Sequence, residues 1–505
     1  MRPIAITIGT QNGTIIARAD KDAEEKGLIQ NLDFIKIGKI IGRITRIEDG
    51  HDYPTDFLIN QKAKYLLRSQ AQPDQKTQGM LYKRLIIEPM GQVYPDGELT
   101  EYQGGAGYFE WVQKAEDTDI ERLYSIETGL KIGNIASGYK ESKVPFFLSD
   151  TALQRHIAVF GKNGSGKTNF LKELIATNLK QEKPIPMLVF GHPDMGLDNP
   201  NDNGTKGLKA LQDERITVHG YKERITLSTQ EINLSDIFDQ FEMSTSMKDL
   251  WHYVQMKEPQ RYIEILSRYD INADPLKLQR KTVKDPQTKK TTTIGVATLP
   301  TIDAVCKQAR ILANYIESNA NPIIANILGD LKRGKTVLVN TFNMTEYYQG
   351  LFIRLLLSRL QRAGKHAIHK GVSQRFLVII DEAQHFIKMA GEKISEFVME
   401  CRKFGVTLLL STQSPKSIPD SVYGQIYSTI AFHMNKADLK ILTDYSPVLE
   451  DCKTIIQQPP LKNTLGIGIV QAVGYPYPAV IKVPRFERRL QNNEKQSLFE
   501  EVKPE

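Results

Sequence analysis

Eight consecutive residues, Gly161-Lys162-Asn163-Gly164-Ser165-Gly166-Lys167-Thr168, fill the pattern G-x-x-x-x-G-K-S/T at every position. Each residue type has a physical task. Glycines let backbone N–H groups turn inward around phosphate oxygens with no Cβ in the way. Lys167 brings a point positive charge to the β- and γ-phosphates of a nucleotide, and Thr168 offers a hydroxyl to Mg²⁺. The pattern follows the apolar run His156-Ile157-Ala158-Val159-Phe160 and opens a helical stretch from Lys167 to about Leu179. A helix N-terminus there adds a dipole that favours anions. The expected nucleotide contacts are Gly161, Asn163, Gly164, Ser165, Gly166, Lys167, Thr168 and Asn169.

A second run, Phe376-Leu377-Val378-Ile379-Ile380, is apolar throughout and ends in Asp381-Glu382. It has the character of a central strand buried on both faces. Two carboxylates at its carboxyl end are costly unless they have a task. Asp381 is the expected magnesium-side acid beside Thr168, and Glu382 the carboxylate that polarises an attacking water. A water-activating Glu favours hydrolysis of ATP over transfer of its phosphoryl group to a small acceptor. The strand Val406-Thr407-Leu408-Leu409-Leu410 ends in Ser411-Thr412-Gln413, and Gln413 at that tip is the candidate sensor of the γ-phosphate. Arg402 and Arg155 are the candidates for a catalytic arginine reaching a neighbouring subunit's site; a solvated surface charge is the plain alternative for each.

These groups need a scaffold. Residues 1 to about 140 hold short β-rich pieces, such as Thr14-Ile15-Ile16-Ala17 and Ile40-Ile41-Gly42-Arg43-Ile44, between Gly, Pro, Asn and Asp. They predict a small barrel or sandwich, closed by Leu130-Lys131-Ile132-Gly133-Asn134-Ile135. From about 151 a strand–helix–strand rhythm predicts a parallel α/β sheet. It is interrupted at 232–331, where residues 234–269 and 301–331 have helical character, and resumes at Thr336-Val337-Leu338-Val339-Asn340. The fold class is therefore α/β: a RecA-like P-loop ATPase core over 145–231 and 332–485, an N-terminal β-barrel domain over 1–144, a helical insertion at 232–331 and a charged tail at 486–505.

The totals agree with this division. A chain of 505 residues is too long for one core. The net charge of +7 fits nucleic acid as a partner without requiring it. Within the insertion, Lys277, Arg280, Lys281, Lys284, Lys289 and Lys290 face only Asp285 across a loop at about 275–293. That loop is either a phosphate-backbone contact or simply solvated. No base-reading motif accompanies it, so DNA binding would be independent of sequence. Cys306, Cys401 and Cys452 lie far apart, which argues against zinc and for a reducing compartment. No apolar run approaches the roughly 20 residues that span a bilayer, and no signal peptide is visible. The expected setting is cytoplasmic, with no membrane.

The motifs together resemble the HerA family, hexameric DNA-translocating ATPases related to FtsK. The matching stretches are 155–160 with the glycine turn, 378–386, 402–406, 411–415 and 130–133. The resemblance implies a homo-hexamer with DNA in the central channel, and ATP with Mg²⁺ between subunits. It also implies a nuclease or an NAD-consuming effector as partner, in DNA-end processing or in defence against phage. Carried over, Lys167 and Thr168 hold the nucleotide, Asp381 and Glu382 serve metal and water, Gln413 senses, and Arg402 or Arg155 acts in trans. One stretch departs from the family: Phe190-Gly191-His192-Pro193-Asp194-Met195-Gly196 lacks the usual acids after the second strand, and only Asp194 could compensate. That departure leaves room for a ring that scaffolds or switches an effector with little translocation of its own.

Overall fold

The computed structural model describes residues 2–491 except 53–55, 71–79, 95–97, 127, 192, 198–204, 222–223, 239–240, 242, 285–290, 342–343, 372–374, 391–392 and 458–464. In the N-terminal part, every second side chain of Thr14–Ala19 is buried, the period of a sheet with one dry face. The strands are β1 (Ala5–Gln11), β2 (Thr14–Ala19), β3 (Phe34–Ile37), β4 (Ile40–His51), β5 (Leu81–Val93), β6 (Leu99–Thr100) and β7 (Trp111–Lys114). They run in the order β2-β1-β7-β3-β4-β5-β6, and β2 pairs again with β5, which closes a barrel. Ile15, Ile35, Ile44, Leu85, Ile87 and Val112 fill it. A helix, Asp56–Ser69, rides between β4 and β5.

The next hairpin corrects the expected boundary. β8 (Gly129–Ser137) and β9 (Lys140–Ser149) pair with each other and, through the strand Ala479–Lys482, with the large sheet. Residues 130–135 therefore do not close the barrel. A strand's partner is set by tertiary pairing, which local pattern does not encode.

The large sheet contains β10 (His156–Phe160), β11 (Met187–Gly191) and β12 (Ile216–His219). Four short strands lie outside it: β13 (Leu227–Ser228), just before the insertion, and β14 (Lys281–Lys284), β15 (Thr291–Ile294) and β16 (Ile316–Glu317) within it. The sheet then continues with β17 (Thr336–Asn340), β18 (Phe376–Ile380), β19 (Val406–Thr412), β20 (Ile426–Ala431), β21 (Ile467–Gln471) and β22 (Ala479–Lys482). β12-β17-β11-β18-β19-β10-β20 lie parallel, and β21, β22, β8 and β9 extend the sheet antiparallel.

The strands β10, β11, β17, β18 and β19 are buried from end to end, as parallel strands are when both faces are covered. Successive side chains enter opposite cores. Phe160, Ile380 and Leu410 pack with Phe352, Leu356 and Leu360 of the helix Glu346–His369. Val159, Ile379 and Leu409 pack with Phe170, Leu171 and Leu174 of the helix Lys167–Leu179. This is the α/β, RecA-like architecture expected.

The insertion is mainly helical, but its helices are shorter than the sequence suggests. Thr245–Lys257 stops at Glu258, whose φ of −137° and ψ of 70° lie outside the helical region. The following Pro259 disfavours helix at that position. The basic loop is in part a hairpin, with Lys281 opposite Ile294 and Lys284 opposite Thr291. Alternating Thr and Val there favour a strand that the basic composition hid. Lys277, Arg280 and Lys281 are exposed; Asp285, Lys289 and Lys290 lie outside the described residues. The charged C-terminal stretch starts as a docked helix. Residues 486–491 are helical and Phe486 is fully buried, while 492–505 lie outside the described residues. No helix among the described residues is long and apolar enough to cross a membrane.

Candidate active site

The phosphate cradle starts where β10 ends. Gly166, at the N-cap of the helix Lys167–Leu179, has φ +112°, which a side chain would strain. A Cβ on Gly161 would lie 2.5 Å from the Ser165 Oγ, so the turn closes only around glycine. Lys167 is 5 % exposed and its Nζ donates to the carbonyls of Gly161 at 2.7 Å and Lys162 at 3.4 Å. Burial pushes the Lys167 pKa down, against the opposing pull of Glu382 and Asp381. The Ser165 Oγ is buried with no hydrogen-bond partner among the described residues. A buried hydroxyl without a partner and a glycine turn that no Cβ may enter both fit a phosphate.

Register brings the acids to this turn. β19 lies between β10 and β18, with Phe160 opposite Thr412 and Ile380 opposite Leu410. Asp381 and Ser411 therefore emerge side by side. Oδ1 of Asp381 accepts from the Ser411 hydroxyl at 2.7 Å and from the Glu382 N–H at 3.1 Å. The Thr168 hydroxyl lies 3.4 Å from Oδ2. The Asp381 carboxyl is pushed up, first by burial and then by the charge of Glu382, while Ser411 and Lys167 oppose the shift. Thr168 and Asp381 suit Mg²⁺, which takes one or two protein oxygens and completes its shell with phosphate and water. No cluster of three or more His, Cys, Asp or Glu able to hold a metal occurs among the described residues.

Glu382 sits at φ +51°, a left-handed conformation uncommon outside glycine and often found at functional positions. Its Oε2 accepts from Gln384 Nε2 at 2.5 Å and from Gln413 Nε2 at 3.3 Å. Gln384 Oε1 in turn accepts from the Thr412 hydroxyl at 2.8 Å. The carboxylate is thus aimed by two amides, one of them fixed from β19. Gln413 lies beside the carboxylate, at the tip of the strand next to the cradle.

Arg155 and Arg402 come together, but away from this site. Both guanidinium groups stack on Tyr427, at 4.5 and 5.5 Å from its ring centre. They precede β10 and β19, whereas the cradle follows β10; the strand's five residues separate them by about 16 Å at roughly 3.3 Å per residue. Neither reaches the phosphates of its own subunit. His156 anchors the segment leading to Arg402: its Nδ1 accepts from the Leu408 N–H at 3.0 Å, so the proton on Nε2 is directed to the Val398 carbonyl at 2.9 Å. Burial pushes the His156 pKa down, in keeping with that neutral ring.

Asn169 lines the same cleft and also ties down a remote segment. The Asn169 carboxamide donates to the Pro484 carbonyl at 2.8 Å and accepts from the Phe486 N–H at 2.9 Å. A hydrogen-bonding side chain on the first turn of this helix can serve the protein as well as a ligand, and here it ties down the segment after β22. Asn163 and Gly164 border the cleft, with Asn169. In the departing stretch after β11, Met195 is fully buried; His192 and the Asp194 side chain lie outside the described residues.

The cleft has a volume of about 590 Å³ and is bounded by Lys167, Thr168 and Glu382 on one side and Val483, Arg485 and Arg488 on another. Sequence reasoning missed Gln384, Ser411, Arg485 and Arg488. Ser411 carried a faint signal, a small polar residue ending an apolar strand. The two arginines carried none, because more than 300 residues separate them from the cradle.

A glycine cradle, an acid pair two strands away and a polar strand tip between them define a P-loop ATPase. Residues 130–360 match the family model described as "Helicase HerA, central domain", a match that starts with β8 and so groups that hairpin with the core. The DNA double-strand break repair helicase HerA of Saccharolobus solfataricus is 22% identical over 410 residues, which cover 78% of this chain and 76% of that protein. Its namesake from Sulfurisphaera tokodaii is 23% identical over 409 residues, with the same coverage. Among solved structures, the bacterial conjugative coupling protein TrwB aligns at a TM-score of 0.47 and 11% identity, covering 74% of this chain and 92% of that one. Over these stretches the chain is similar to HerA helicases.

Proposed function

We propose that this protein is an ATP-driven ring motor that moves along or unwinds DNA. The observation that carries the reading is Glu382, held beside the cradle by Gln384 and Gln413. A carboxylate aimed this way serves hydrolysis, and a phosphotransferase has no need of it. Gly161, Gly164, Ser165, Gly166 and Lys167 hold the phosphates of ATP. Lys167 exchanges its carbonyl partners for phosphate oxygens, and Thr168 and Asp381 hold Mg²⁺, which neutralises phosphate charge when bound. Glu382 orients water and takes its proton, and Gln413 couples that carboxylate to β19. Arg155 or Arg402 of one subunit completes the site of the next, in a ring of six copies.

The likeness to proteins named as DNA repair helicases supports DNA as the track, bound without sequence preference. A nuclease or an NAD-consuming effector is the expected partner, in DNA-end processing or in defence against phage, within the cytoplasm. The barrel and the mainly helical insertion serve as separate domains flanking the ATPase core, with the core beginning at β8. The test is the ATPase rate with and without double-stranded DNA: the motor reading expects stimulation, and a rate indifferent to every DNA length and form counts against it. A scaffolding ring with little translocation is the second reading, favoured by the stretch 190–196, which lacks the family's acids. Robust directional movement in a translocation assay removes it.

A further inference from the structure

We propose that Arg485 and Arg488 bind the α- and β-phosphates that ATP and ADP share, so that the segment following β22 forms one wall of the nucleotide site. This deepens the ATPase reading and rests on it.

The segment is fixed from both sides. Asn169, one residue beyond Thr168, holds the carbonyl of Pro484 and the N–H of Phe486. Phe486 is fully buried, and Arg489 is bound to the Glu173 carboxylate at 2.6 Å and to the Thr177 hydroxyl at 3.0 Å. Glu173 is 2 % exposed, and both it and Thr177 lie on the helix that the cradle opens. The backbone from 484 to 489 is therefore stapled along that helix.

Arg485 and Arg488 are the two side chains that this staple leaves over. Three residues apart, they share a face, are exposed and line the cleft with Lys167 and Thr168. Among the described residues neither forms a salt bridge to a carboxylate. Around the cleft five cations, Lys162, Lys167, Lys172, Arg485 and Arg488, face two carboxylates, Glu382 and Glu487. Like charges gathered at this density repel unless a polyanion sits among them. A planar guanidinium matches two phosphate oxygens at once.

Position selects which phosphates. The γ-phosphate end is defined by Glu382, Asp381 and Gln413, on β18 and β19. The segment instead runs along the first turn of the helix on the side that Asn169 faces, beside the backbone that follows Thr168. Groups placed there meet the part of the nucleotide that remains after hydrolysis.

Binding of fluorescent ATP and ADP analogues with Mg²⁺, together with steady-state ATPase rates, tests the proposal on Arg485→Ala, Arg488→Ala and the double variant. Both positions are exposed, so an unchanged melting temperature is expected to confirm folding. Loss of a charge-assisted phosphate bond weakens binding roughly 10- to 100-fold. The loss is expected to be equal for ATP and ADP, with kcat at saturation within about threefold of the parent, as removal of uniform binding requires. Arg488→Lys, which retains charge but not the fork, is expected to recover part of the affinity. Unchanged affinity in the variants, or a loss confined to ATP, overturns the proposal. If Lys167→Ala also binds both nucleotides like the parent, the ATPase reading itself has failed, and the proposal with it.

Discussion

The Ser411 hydroxyl donates a 2.7 Å hydrogen bond to Oδ1 of Asp381 from the neighbouring strand, while Oδ2 faces Thr168. One oxygen of the carboxylate is held by protein and the other is presented toward the cradle. Ser411 also opposes the burial that pushes the Asp381 carboxyl up. Ser411→Ala is therefore expected to weaken apparent Mg²⁺ affinity by roughly 10-fold, the scale on which partners of metal ligands act. The acid limb of the ATPase profile at limiting Mg²⁺ should move to higher pH. Magnesium titrations across a pH series check both, and an unshifted limb would remove Ser411 from this role.

Asp381 and Lys167 both titrate against the preference of the empty fold. The folded pKa of Asp381 is raised, so its contribution to stability is present below the ordinary carboxylate range and lost as pH rises through the raised value. The folded pKa of Lys167 is lowered, so its contribution is present above the ordinary lysine range and lost as pH falls through the lowered value. Near neutral pH an ionised Asp381 opposes folding until a cation arrives. Nucleotide-free Asp381→Asn should melt no lower than the parent at neutral pH. Mg²⁺ with a non-hydrolysable ATP analogue should raise the parent's melting temperature more than the variant's.

Gln384 and Gln413 aim the Glu382 carboxylate. Replacing either with Ala should lower kcat roughly 10- to 100-fold, a share of what general-base catalysis contributes, and leave the KM for ATP nearly unchanged. Steady-state kinetics with saturating Mg²⁺ separate the two constants. A raised KM at constant kcat would place the glutamines in binding instead.

The paired arginines on Tyr427 predict complementation between subunits. Lys167→Ala and Arg402→Ala should each be inactive alone. Mixed into common rings, they should recover activity, because roughly one interface in four then joins an intact cradle to an intact arginine. The same mixture with Arg155→Ala shows which arginine reaches across. No recovery from either mixture would mean that neither arginine serves a neighbouring site.

Arg43 links the barrel to the ATPase sheet. Only 1 % exposed, its Nη1 donates to the Pro478 carbonyl at 2.8 Å, which also accepts from the Tyr124 hydroxyl at 3.0 Å. Arg43→Ala should cost about 1–3 kcal/mol in chemical denaturation through the lost bond and packing.

The candidate site was legible where its patterns are local. The cradle, the apolar strand ending in Asp381-Glu382 and the strand tip at Gln413 are contiguous patterns, and the structure sets them at the ends of the neighbouring strands β10, β18 and β19. What escaped depends on pairing across distance. Residues 130–135 have the character of a barrel strand, and only their pairing with Ala479–Lys482 puts them in the other sheet. That Asn169, on the cleft, also holds the remote 484–486 backbone could not be read from its neighbours. The hairpin of Lys281–Lys284 and Thr291–Ile294 was hidden because charge obscured its β-branched alternation. Arg485 and Arg488 sit in no motif at all.

Single-turnover hydrolysis by Glu382→Gln is the most direct test of the account. The variant should bind ATP with Mg²⁺ about as tightly as the parent and hold it uncleaved, with the rate down by roughly 10²–10⁴-fold. Hydrolysis at the parent's rate would contradict the assignment of Glu382 as the water-activating base, and with it the hydrolytic site built around it.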